Sequence, residues 1–357
     1  MGGTYGKGEQ DVGGDEPPTA CDTRLGYIFH KIMYNCFMNQ LIEVKNLTMN
    51  FPVNEGFMGK VTRYVHALSG IDLIVQENEI LGLVGESGCG KSTLGKCLLR
   101  LIEPTSGEIF FEHKNILKEN RKGMKSFRKN AQMIFQNPYA SLDPKVNIYN
   151  TLSEPLIIHG IKDKKIIDEK IRKVASLAGI EERALGNFPH EFSGGQRQRI
   201  AIARAIMLNP KFIVADEPVS ALDVSIQAQI INLLLDLKKE LNLTIIFVSH
   251  DLSVVKYVSD RVAVMYLGEI VEMGTKSEIF NSPKHPYTQA LLSAIPKINE
   301  QSTEKILLQG DLPSPQNPPE GCKFHTRCPY AFDRCKVESP QPRVVSNTHF
   351  AKCHLLD

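Results

Sequence analysis

Tryptophan is absent from these 357 residues, and aromatic residues make up only 7% of them, so a core has to be built mainly from aliphatic side chains. No run approaches the ~18 consecutive apolar residues that a membrane-spanning helix needs. The nearest candidates, Thr244 to Val248 and Val262 to Leu267, are short and read as buried strands. If the protein serves transport, another chain must supply the pore. A charge surplus is also missing: the formal net charge is +2, which gives no reason to expect nucleic acid or an anionic membrane as the main ligand. What is present is enough for a sizeable core, with 42% hydrophobic and 23% charged residues. The length is that of about two domains.

Residues 1–37 do not read as part of a fold. Met1 to Ala20 is rich in Gly and acidic residues, and Leu25 to Phe37 is mildly apolar but broken by His30, Lys31 and Asn35. The segment lacks the basic start and small-residue cleavage site of a signal peptide, and is expected to be a disordered extension ahead of Met38. From Leu41 the pattern changes. Leu41, Ile42, Val44 and Leu47 predict a first strand, Asn54 to Tyr64 a polar loop, and Val65 to Val75 a second strand. Ile80 to Val84 is a short apolar strand running into Gly85. Residues of about 137–190 read as helical, because Ile166, Ile167, Ile171, Val174, Ala175 and Leu177 recur at helical spacing. Then follow a helix after Ser193, the strand Phe212 to Ala215, the amphipathic helix Ile226 to Leu241, and strands at Thr244 to Val248 and Arg261 to Tyr266. Strands alternating with helices predict an α/β fold with a mostly parallel sheet covered on both faces. Past Phe280, prolines accumulate from Pro283 to Pro319 and predict an extended tail.

Gly85-Glu86-Ser87-Gly88-Cys89-Gly90-Lys91-Ser92 fits G-x-x-x-x-G-K-[ST]. A buried strand precedes it and a helical pattern, Thr93 to Leu101, follows. Glycines let the backbone curl so that successive N–H groups point at phosphate oxygens, and the helix start adds partial positive charge. Lys91 would reach the β- and γ-phosphates of ATP and Ser92 would offer its hydroxyl to Mg²⁺. Cys89 fills a variable place in the loop. Cys97 shares a face with Leu94, Leu98 and Leu101 and is expected in the core. The strand Phe212 to Ala215 ends in Asp216-Glu217, at the carboxyl edge where open α/β sheets bind ligands. Asp216 would hold Mg²⁺, and Glu217 would orient or deprotonate the attacking water. Phe192-Ser193-Gly194-Gly195-Gln196 adds a second anion site, with Ser193 as a good N-cap before a helix.

That last motif resembles the ABC signature, with Phe in place of the usual Leu, and identifies the chain as similar to ABC nucleotide-binding domains. The resemblance implies a P-loop ATPase with a mostly parallel sheet core, an antiparallel β-subdomain and a helical subdomain. It implies further roles at matching positions: Gln136 as the Q-loop residue sensing Mg²⁺ and water, Ser220-Ala221-Leu222-Asp223 as the D-loop that crosses to a partner, and His250 as the switch histidine at the γ-phosphate. It also implies that the signature of one subunit covers the ATP held by the other. Phe51 and Tyr64 are both candidates for stacking on adenine.

Ala215 to Ser225 is very like the second ATPase of dipeptide/oligopeptide importers, whose first ATPase usually has Thr-Thr where Val219-Ser220 stand. His285-Pro286-Tyr287-Thr288, Leu291-Leu292 and Asn317-Pro318-Pro319 before Gly321-Cys322 resemble the linker and C-terminal extension of that group. The expected organisation is an ATPase domain at 38–280 and an extension at 281–357. By resemblance the machine pairs this subunit with a second, non-identical ATPase, two permease subunits and an extracytoplasmic peptide-binding protein, and works at the cytoplasmic face of the membrane without nucleic acid. The loop containing Tyr139, Ala140, Ser141 and Leu142 lies where the family docks a permease helix. Other readings are a nickel or other small-solute importer, or a non-transport ABC ATPase acting on DNA. The stretch from Ser92 to Asp216 is too short for the long insertions of the DNA-acting chains, and a single phosphate loop disfavours the two-cassette translation-factor type.

Of eight cysteines, Cys322, Cys328, Cys335 and Cys353 crowd into the tail. In the cytosol that ATP chemistry implies, clustered thiols more often bind metal than form disulfides. Four thiolates could hold Zn²⁺ or a [4Fe–4S] cluster. The gaps are wider than the usual zinc pairs, though His325, His349 and His354 keep zinc open. The family resemblance implies a [4Fe–4S] cluster on these four cysteines.

Overall fold

The computed structural model describes residues 2, 40–55, 60–295, 306, 308 and 310–357. The reading of residues 1–37, Gly2 apart, and Pro296 lie outside the described residues.

Two sheets organise the described chain. The smaller is antiparallel, in the order β2-β1-β4-β5, from β1 (Gln40–Glu55), β2 (Lys60–Gln76), β4 (Ser106–Phe111) and β5 (Lys114–Asn115). Of the polar stretch expected as a loop from 54 to 64, the described residues Asn54, Glu55 and Lys60 to Tyr64 are strand. β1 and β2 pair from Gln40↔Gln76 out to Glu55↔Lys60, because a hairpin keeps its ladder wherever backbone partners continue, whatever the side-chain polarity.

The larger sheet has eight strands in the order β11-β12-β10-β9-β3-β8-β7-β6. They are β3 (Ile80–Val84), β6 (Ala131–Ile134), β7 (Phe212–Asp216), β8 (Thr244–Val248), β9 (Arg261–Tyr266), β10 (Glu269–Thr275), β11 (Pro342–Val344) and β12 (Phe350–Lys352). β9, β3, β8, β7 and β6 are mutually parallel. β3, β7 and β8 are buried along their whole length, as expected of strands covered on both faces. Their side chains alternate between two cores. Ile213, Ala215, Ile245 and Phe247 face a core shared with the helices of residues 148–178. Phe212, Val214, Ile246 and Val248 face a second core between the two sheets and the helix Lys91–Leu98. Cys97 is fully buried there, but Leu101 is 47% exposed. The helix ends at Leu98, so Leu101 leaves the helical face on which the periodicity placed it.

The tail is more than extended. β12 pairs with β10 through Glu272↔Ala351 and Met273↔Phe350, and β11 pairs with β12. A buried hydrogen bond anchors this pairing: His349 Nε2 lies 2.7 Å from Glu272 Oε1. Glu272 also accepts the backbone N–H groups of Lys284 and His285. Burial works against its charge, but these bonds hold the carboxyl below its usual range.

Candidate active site

Parallel strands deliver their carboxyl ends to one edge of a sheet, and here four neighbours do so together. β3 leads into Gly85, β8 into Ser249 and His250, β7 ends at Asp216 before Glu217, and β6 leads into Gln136. That edge is where ligands bind in open α/β sheets.

The phosphate loop is held by its own chain. Gly90, at the junction of loop and helix, has φ of +107°, and a Cβ there would lie 2.5 Å from the carbonyl oxygen of Ala67; only glycine fits. The Lys91 ammonium is buried and donates to the carbonyls of Gly85 at 2.7 Å and Glu86 at 2.9 Å, near Cys89 Sγ. Burial pushes the Cys89 thiol up, against the pull of Lys91, so this cysteine is a packing group. Ser92 Oγ donates to Asp216 Oδ1 at 2.8 Å. Burial raises the Asp216 carboxyl while the Ser92 bond lowers it. A nearly buried carboxylate beside a hydroxyl at the foot of a phosphate cradle is a donor set that suits Mg²⁺.

Glu217 stands just beyond. Its backbone adopts φ of +45°, a conformation uncommon for a non-glycine residue, and its N–H donates to Val248 O at 3.0 Å. Its carboxylate is gripped on both sides: Gln136 Nε2 donates to Oε2 at 2.8 Å, and His250 Nδ1 lies 3.2 Å from Oε1. Residues separated by 81 and 33 positions thus converge on one carboxylate.

Ser193 and Gln196 form a reciprocal capping box at the start of the helix Gly194–Ile206. Gln196 N donates to Ser193 Oγ at 3.4 Å and Ser193 N donates to Gln196 Oε1 at 2.9 Å. A Cβ on Gly195 would lie 2.5 Å from Ile226, so the helix start is pressed against the segment after the D-loop. Among the described residues no hydrogen bond joins Ser193–Gln196 to the phosphate loop. Asp223 caps the helix Val224–Leu241 by position without a side-chain cap bond, and Val224 beside it is 82% exposed. The Arg197 guanidinium lies 4.1 Å from the centre of the Tyr139 ring, which ties the loop after Gln136 to the signature helix.

Phe51 and Tyr64 are both exposed. Phe51 pairs with Val65 and Pro52 with Tyr64, so the two rings point to opposite faces of the hairpin. Only one of them can face a given nucleotide.

In the tail, Cys335 and Cys353 are buried and Cys322 and Cys328 half-buried, all as free thiols. Burial pushes Cys322 up to about 12, with Cys335, Cys353 and Cys328 close enough to add to the push. Burial likewise raises Cys328 and Cys353, each again beside other tail thiols. Among the described residues, no three His, Cys, Asp or Glu side chains are gathered tightly enough for one metal ion. His325 bonds to Cys322 O and His349 to Glu272 through one ring nitrogen each, and His354 bonds through both, to Glu338 O and Asp357.

What the sequence reading missed is a set of contacts from the tail to the phosphate loop. The Arg327 guanidinium forks onto the Glu86 carboxylate, Nη1 to Oε2 at 2.7 Å and Nη2 to Oε1 at 3.0 Å. No local signal could have found a pair 241 positions apart.

Comparison with known proteins agrees with this geometry. Residues 68–220 match the ABC transporter family, and residues 271–335 match the oligopeptide/dipeptide transporter C-terminal region. The chain is 48% identical over 319 residues to the oligopeptide transport ATP-binding protein AppF of Bacillus subtilis, covering 88% of this chain and 97% of that protein. It is 48% identical over 302 residues to the dipeptide transport ATP-binding protein DppF of Escherichia coli, covering 84% and 90%. Among solved structures it resembles the dimeric ATP-binding cassette MJ0796 bound to ADP and phosphate, at TM-score 0.59 and 29% identity over 66% of this chain and 99% of that one. It also resembles cbiO1 of Clostridium perfringens, part of the transporter complex cbiONQ, at TM-score 0.59 and 30% identity over 68% and 92%.

Proposed function

Because this chain belongs to the ABC transporter family, among the ATP-binding subunits of oligopeptide/dipeptide importers, we propose that it works as one of two paired ATPases beneath a peptide permease. It is an ATPase whose hydrolysis of ATP powers peptide import. The observation that carries the residue roles is the convergence of Gln136 and His250 on Glu217, next to the Ser92–Asp216 contact.

The triphosphate fills the curl Gly85–Thr93, and Lys91 exchanges its two loop carbonyls for β- and γ-phosphate oxygens. Ser92 and Asp216 would hold Mg²⁺, with Gln136 alongside; the ion, when bound, offsets charge on the phosphates. Glu217 orients the attacking water and takes its proton, while Gln136 and His250 fix the carboxylate and so avoid reorganisation at the moment of reaction. Ser193, Gly194, Gly195 and Gln196 cap the nucleotide held by the partner ATPase, and Asp223 lies at the same interface. The exposed, self-capped helix start and the bare Val224 support this part of the reading.

No helix among the described residues is long and apolar enough to cross a membrane, and the subunit associates peripherally through its partners. A cleft of about 490 Å³, lined by Ser141, Asp143, Glu154, Ile157 and Arg204 among others, is proposed as the seat of a permease helix. Tyr139 and Arg197 would carry its movement to the signature. Residues 38–280 are taken as the ATPase domain and 281–357 as its extension.

Cys322, Cys328, Cys335 and Cys353 are proposed as ligands of a [4Fe–4S] cluster. The influence that the four thiols exert on one another's charge supports this reading. Iron and acid-labile sulfide should copurify anaerobically with broad visible absorbance; stoichiometric zinc without iron would exclude the cluster. The functional test is ATPase activity of the reconstituted complex with and without peptide-loaded binding protein. Stimulation by peptide is expected, and stimulation by a nickel-loaded binding protein instead would overturn the cargo.

A further inference from the structure

Glu86 is the second residue of the phosphate loop, and three groups hold it. Its N–H donates to the Tyr287 hydroxyl at 2.9 Å, its carbonyl accepts from Lys91 at 2.9 Å, and its carboxylate accepts both arms of the Arg327 fork. Two of the three come from beyond residue 281. The Arg327 side chain is only 8% exposed, so this is not a solvated surface pair of negligible worth. Its platform is a buried aromatic cluster: Tyr266, Tyr287 and Phe324 meet in mutual contacts with centroids 4.7 to 5.4 Å apart. Lys323 donates to Leu267 O at 2.9 Å. On the other wall of the site, Pro315 O accepts the N–H of His66 at 2.9 Å, two residues beyond Tyr64. The extension therefore fastens both the phosphate loop and the hairpin.

We propose that Arg327 is a positioning residue of the ATP site, acting through Glu86: it holds the loop in its phosphate-binding curl and neutralises a carboxylate that would otherwise face the triphosphate. This rests on the reading of Gly85–Thr93 as the ATP site. Nucleotide affinity then depends on the docking of the segment between Cys322 and Cys328.

The test uses the full chain, with MgATP affinity measured by titration, and the reconstituted complex for turnover. Arg327→Gln should weaken MgATP binding roughly five- to tenfold and raise KM far more than it changes kcat. Arg327→Lys, which keeps charge without the fork, should fall between. Glu86→Gln with Arg327→Gln should bind no more weakly than Arg327→Gln alone, because the uncompensated carboxylate has gone. If Arg327→Gln fails to fold, the Glu86→Gln and Arg327→Lys chains carry the same comparison. Affinities within twofold of wild type, or losses that simply add, would overturn the proposal. If the wild-type chain itself fails to bind MgATP, or Lys91→Ala binds it unchanged, the ATP-site reading falls first and the positioning role with it.

Discussion

The two elements of this chain proposed to meet phosphate are built in opposite ways. The loop Gly85–Thr93 is finished within one chain: Lys91 is buried, its ammonium partnered, Glu86 held at three points, and Ser92 joined to Asp216. The signature Ser193–Gln196 bonds mainly to itself, lies at the surface, and borders the 82%-exposed Val224. A capping box satisfies helix-end donors locally. One half of a site is preorganised and the other is presented. This contrast fits the proposed pairing of two ATPases, in which each chain would complete the other's site.

The largest expected effect breaks the finished half. Glu217→Gln should lower ATP turnover of the reconstituted complex by at least about 10²-fold while retaining MgATP binding and ATP-driven pairing, followed by phosphate release and light scattering; normal turnover would remove Glu217 from its role. Lys91→Ala should weaken MgATP binding by the isolated chain by about tenfold or more, as expected for loss of a charged phosphate contact. Ser193→Arg sharpens the contrast. It should leave affinity of the isolated chain within about twofold, since Ser193 touches no part of the loop, but cut turnover of the complex more than about tenfold by placing bulk against the opposite nucleotide. Equal loss of affinity in both variants would erase the distinction between the halves.

A smaller effect concerns the junction with the extension. His285 is fully buried and its Nδ1 accepts the N–H of Tyr287 at 3.0 Å, which requires the neutral ring. Burial lowers it to about 4, against the pull of Glu272. The folded state then binds fewer protons than the unfolded state between pH ~6.5 and about 4. This contribution to stability is complete above ~6.5 and is lost as pH falls through that window. Urea unfolding at pH 7 and pH 5 should show the slope, and His285→Gln should flatten it.

Much of the site was legible because its chemistry is written locally. The phosphate loop needs glycines at fixed offsets, Asp216-Glu217 follow an unbroken apolar strand, and Ser193 precedes a helix. The hairpin through Lys60–Tyr64 was not legible, because ladder pairing there proceeds without apolar alternation. Leu101 was misplaced because it lies three residues past the helix end at Leu98 and so loses the helical face. The joining of β12 to β10 and the fork of Arg327 on Glu86 are long-range contacts that leave no periodic trace.

The span from Glu86 to Arg327 also orders events during synthesis. Emerging at ~5–20 residues per second, the phosphate loop leaves the ribosome many seconds before the arginine that braces it, and before β12 covers the open side of β10. A half-made subunit therefore carries its nucleotide loop unbraced, and a segment translated later completes one translated well before it.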